Sequence, residues 1–92
     1  MKNKYILYPH TEDIFSGFEL YLYCAKCDDK KLVLQYVVDI ATIECDFFKY
    51  LHCDESHKIT DEKDIDVIIA IFRMSGLDGV EKIIKVFNER ES

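Results

Sequence analysis

One proline, three glycines and no tryptophan occur in 92 residues. So little proline and glycine excludes collagen-like and low-complexity chains. Basic residues are also scarce, with 12 Lys and Arg against 18 Asp and Glu and a net charge of −6. That balance argues against binding to a phosphate backbone, which needs a basic surface. The longest uncharged apolar-rich stretches, Leu32–Val38 and Val67–Phe72, fall far below the ~20 residues of a membrane span. The start, Met1–Pro9, lacks the apolar core and cleavage site of a secretory signal. The expectation is a cytoplasmic protein without membrane contact. No glycine-rich phosphate loop, nucleophile elbow or His-Glu-x-x-His motif is found, so no enzyme is expected.

What is present is a hydrophobic content of 49%, too high for disorder and enough for one small core. The length predicts a single domain spanning 1–92. Tyr5, Ile6, Leu7 and Tyr8 read as a short extended segment ending at Pro9. Thr11 is a candidate N-cap, and Ile14, Phe18, Tyr21 and Ala25 then recur at helical spacing, with Glu12, Ser16, Glu19, Tyr23 and Lys26 opposite. Gly17 counts against this helix. Between residues 30 and 52, Gln35, Asp39, Thr42, Asp46 and Lys49 form a polar stripe, with Val33, Tyr36, Val37, Ile40, Ile43, Phe47, Tyr50 and Leu51 on the other side. A third helix is capped at Thr60, buries Ile65, Ile68, Ile69 and Phe72, and ends at Ser75-Gly76. A fourth carries Val80, Ile83, Ile84 and Phe87. The predicted fold is therefore all-α, a compact antiparallel bundle of about four helices with a short extended N-terminus. The β-branched and aromatic content of 32–38 supports an alternative, an α+β fold with a hairpin at 18–38.

Cys24, Cys27, Cys53 and His57 are the one set resembling a chemical motif. Their C-x₂-C and C-x₃-H spacings could complete a tetrahedral zinc site, hence a zinc-binding regulatory module. No Gly or Pro stands near either half, and Cys24 and Cys27 fall on a predicted helix. The leading expectation is instead reduced core thiols, with no metal and no cofactor. Cys53 beside His52 and near His57 supplies the residue types of a thiol nucleophile, but neighbours on a helix diverge.

The remaining feature is negative charge. Residues 54–66 hold six acids and two bases. Asp39, Asp46, Asp54, Glu55, Asp61, Glu62 and Asp64 form a candidate docking face for a basic protein in a 1:1 complex. A small acidic single domain of this kind resembles, in profile only, the immunity proteins that neutralise basic nuclease-type toxin domains. No family motif aligns, so no residue is carried over. A virus-encoded acidic inhibitor of a nucleic-acid-binding complex would use the same physics, and a structural subunit with an incidental acidic face is a further reading.

Overall fold

In the computed structural model, which describes residues 4–11, 15–39, 41–42, 44–53 and 57–90, four strands precede one helix. The strands are β1 (Tyr5–Thr11), β2 (Phe15–Cys24), β3 (Asp29–Asp39) and β4 (Glu44–Lys49), and the helix is α1 (Glu62–Glu89). All neighbouring strands pair antiparallel in the order β1-β2-β3-β4, a meander. This overturns the all-α, four-helix bundle. The segment expected to be a helix after Thr11 is largely β2, and the one expected over 30–52 is β3 and β4.

The reason lies in β2. Phe18, Leu20, Leu22 and Cys24 are all buried, whereas Gly17, Glu19, Tyr21 and Tyr23 between them are half-buried. That is the two-residue period of a strand with one face on the core. It passed for a helix because Phe18 and Leu22 also fit a four-residue step. In β3 the alternation is interrupted. Leu20 pairs with Leu34, but Tyr21 pairs with Leu32, so Val33 is the extra residue of a bulge. Val33 and Leu34 are consequently both fully buried, and consecutive buried residues are not a strand signature. The β2–β3 turn spans 25–28 without glycine. Asp28 takes its left-handed position at φ 53°, one of the few non-glycine types that does so readily.

Gly17 is explained by the sheet. A β-carbon there would stand 2.0 Å from the carbonyl oxygen of Tyr36 on β3, so only glycine permits this close strand approach.

Helix α1 begins as an electrostatically favoured N-terminus. Asp61 is the N-cap, its carboxylate accepting from the Lys63 N–H at 3.0 Å, and Glu62 and Asp64 lie in the first turn. Thr60, the expected cap, is buried and shares a 2.8 Å hydrogen bond with the Tyr5 hydroxyl. Gly76 interrupts the helix at φ 69°, ψ −159°. Arg90 and Asp64 form a 3.0 Å ion pair, although 26 helical steps would separate them by about 39 Å if α1 were straight. The helix is therefore folded back at Gly76 into two antiparallel arms. Ile65 and Ile68 of the first arm and Val80, Ile84 and Phe87 of the second join Tyr5, Phe18, Leu20, Leu22, Val33 and Leu34 in one core. Phe72 seals it against Phe18 and Tyr36, with ring centroids 5.1 and 4.6 Å away. Among the described residues, no helix is long and apolar enough to cross a membrane.

Candidate metal centre

Two chain segments converge at one end of the sheet. The first is the end of β2 and its turn. Cys24 is the last inward-facing residue of the series Phe18, Leu20, Leu22, and pairs with Asp29 across the turn. Cys27 lies inside the turn. The second segment connects β4 to α1 and doubles back on itself. The Ile59 N–H donates to the Leu51 carbonyl and the Cys53 N–H to the His57 carbonyl, each at 2.9 Å, with a bridge between His52 and Lys58. It is anchored at both ends, by the Tyr50 N–H on the carbonyl of the bulged Val33 (2.9 Å) and by Thr60 on Tyr5. This small brace points Cys53 and His57 at the β2 turn.

The sulfurs of Cys24, Cys27 and Cys53 and a ring nitrogen of His57 all lie within 4.8 Å of one another. Cys24 Sγ is 3.1 Å from His57 Nε2. Around a tetrahedral zinc ion, bond lengths of about 2.3 Å to sulfur and 2.0–2.1 Å to nitrogen put sulfurs ~3.8 Å apart and sulfur and nitrogen ~3.6 Å apart. The four donors thus bracket the required spacing. Cys24 and Cys53 are 6% exposed, and Cys27 and His57 are half-buried.

The thiols do not behave alike. The hydrogen bond from His57, helped by the Cys27 backbone N–H, lowers Cys24 to about 6. Burial pushes Cys53 up to about 12, reinforced by hydrogen bonds to the sulfurs of Cys24 and Cys27 and by their charge. Three adjacent thiolates repel one another, so the protein alone favours one of them. A divalent cation reverses that balance and holds all three deprotonated. Around such an ion, three sulfurs and one imidazole would fill the four positions and leave none open for a substrate, as in structural rather than catalytic zinc sites.

The absence of glycine near these residues, which weighed against zinc in the sequence, is met by the left-handed Asp28. The pairing of Cys53 with His52 does not form a nucleophilic site. His52 is exposed, while Cys53 is buried against Cys24 and Cys27. Cys45 is exposed on β4 and stands outside the cluster.

The expected acidic docking residues have varied fates. Asp39 ends β3, opposite Phe15 and Glu44, and Asp46 is exposed on β4. Asp54 and Glu55 lie outside the described residues. Asp61 caps α1, and Glu62 pairs with Lys49 at 2.8 Å, beside Asp66 at 3.1 Å. Asp64 is the ion-pair partner of Arg90. Asp61, Glu62 and Asp64 therefore already serve the fold. The sequence places Tyr5 in an extended segment but gives no sign that its N–H and carbonyl are both held by the Asn88 side chain, at 2.7 and 3.1 Å.

The helical bundle expected alongside the immunity-protein profile is absent, and no comparison supports a toxin-system relative. Compared with family models, curated proteins and solved structures, the chain matches none.

Proposed function

We propose that this protein is a small non-enzymatic module built around a structural zinc ion held by Cys24, Cys27, Cys53 and His57. The observation that carries the reading is the convergence of four soft and borderline donors, from two segments distant in sequence, within 4.8 Å. Three thiolates and an imidazole in tetrahedral array suit zinc, whereas hard cations such as magnesium and calcium require oxygen ligands. The metal would clamp the β2–β3 turn to the connection that launches α1, adding a crosslink to the stability the core supplies. The surface such a module offers is acidic, with a net charge of −6 over the chain, which suits a positively charged protein partner.

Metal analysis of protein purified under reducing conditions, without added metal, tests this directly. One zinc per chain is expected, together with the thiolate-to-metal and ligand-field absorption of a tetrahedral sulfur-rich site after cobalt substitution. Cys53→Ser should lose both signals, and Cys45→Ser should keep them. A folded protein that takes up no zinc or cobalt would overturn the reading.

A further inference from the structure

The three sulfurs of the cluster differ in how they meet solvent. Cys24 is locked at the end of β2 and Cys53 is enclosed by the brace, both 6% exposed. Cys27 is half-buried and lies in the turn, outside the β2–β3 ladder. Its own backbone N–H points at the sulfur of Cys24, three residues back in the same turn, and the two sulfurs are within 4.8 Å.

We propose that Cys27 is an oxidation site, at which hydrogen peroxide converts the Cys24–Cys27 pair to a disulfide and expels the metal. The proposal rests on the zinc reading above. In the first step the Cys27 sulfur attacks one peroxide oxygen. A sulfur–oxygen bond forms, the oxygen–oxygen bond breaks, and hydroxide leaves, giving a sulfenic acid. In the second, the Cys24 thiolate attacks the Cys27 sulfur, forming the disulfide and releasing the sulfenic oxygen as a second hydroxide. Two thiolates have lost two electrons, and peroxide has become two hydroxides, which solvent protons convert to water. The zinc ion keeps its charge and loses two of its four donors. Cys53 and His57 cannot retain it alone, so it leaves as the divalent cation and the β2 turn is no longer clamped to the brace. A thiol reductant restores both sulfurs by exchange.

The Cys45→Ser protein, loaded with one zinc per chain, removes the exposed thiol from the experiment. Titration with hydrogen peroxide, with a chromophoric chelator reporting free zinc, should release the metal in step with the loss of two thiols. Peptide mapping should find the Cys24–Cys27 disulfide. Dimedone added early should label Cys27 first, and dithiothreitol with zinc should restore the starting state. In the metal-free reduced protein, where loss of a ligand does not enter, adding Cys27→Ser should slow the peroxide-driven loss of thiols by about tenfold or more, because the buried sulfurs react only after local opening. Should that variant fail to fold, the dimedone label on the parent still decides. Zinc bound but retained under peroxide would overturn the oxidation site and leave the zinc reading intact, as would first labelling at Cys24 or Cys53, or a disulfide to Cys53. Failure to bind zinc at the outset would remove both.

Discussion

Loading the centre with zinc should raise thermal stability by an amount that the fold itself sets. Cys27 and Cys53 enclose a chain loop of 27 residues, which holds all of β3 and β4. Treated as a crosslink closing that loop, the metal removes chain entropy from the unfolded state worth about 3.6 kcal/mol. A chain of 92 residues unfolds with an entropy of about 0.19 kcal/mol/K, so this amounts to almost 20 °C in Tm. Zinc bound by the thiols of the unfolded chain offsets part of the gain, and the expected rise is about 10–20 °C. Thermal unfolding followed by circular dichroism, under reductant, with saturating zinc and then with chelator, measures it. Cys53→Ser should abolish the difference and Cys45→Ser should preserve it. A protein that binds one zinc yet changes Tm by less than about 3 °C would refute the clamp, since the ion would then be joining segments that hold together without it.

Gly17→Ala places a methyl group 2.0 Å from the Tyr36 carbonyl oxygen. The backbone there cannot yield cheaply, and a loss of about 3 kcal/mol is expected in urea unfolding. Gly76→Ala meets no neighbouring atom, so its cost is only that of φ 69°, about 1–2 kcal/mol, with Gly76→Asn costing less. Tyr5→Phe leaves the buried Thr60 hydroxyl unpaired and should cost about 1–3 kcal/mol, part of which Thr60→Val restores in the double variant. In the metal-free reduced protein, the Cys24 thiolate stabilised by His57 persists down to about 6. Its contribution to stability is complete above the ordinary thiol range near ~8.5 and is lost as pH falls through about 6. Thiolate absorbance and the unfolding midpoint, measured together against pH, should fall in parallel, and Cys24→Ser should flatten both.

The helical signals of the C-terminal third describe real structure because they are local. Ile65, Ile68, Val80, Ile84 and Phe87 are spaced on the helix that buries them, and each of its hydrogen bonds closes within a few residues. The strands were harder to recognise for identifiable reasons. Phe18 and Leu22 satisfy both periods, the bulge at Val33 breaks the alternation of β3, and Asp28 turns the chain without the expected glycine. The alternative hairpin at 18–38 falls within the antiparallel pair of β2 and β3. Spacing brings Cys24, Cys27, Cys53 and His57 forward as a set, but nothing local says that the end of β2 and the connection to α1 meet.

The sequence by itself determined the acidic balance of the chain, the two arms of α1 with their break at Ser75-Gly76, and four candidate metal ligands. The tertiary structure alone decided that residues 15–49 are a sheet and that the four ligands meet. Strand hydrogen bonds are made to other strands, so a segment compatible with either period takes the form its distant neighbours can pair with. The same pairing carries Cys24 to the end of β2 and, through the Tyr50 N–H on the carbonyl of Val33, sets Cys53 and His57 opposite it.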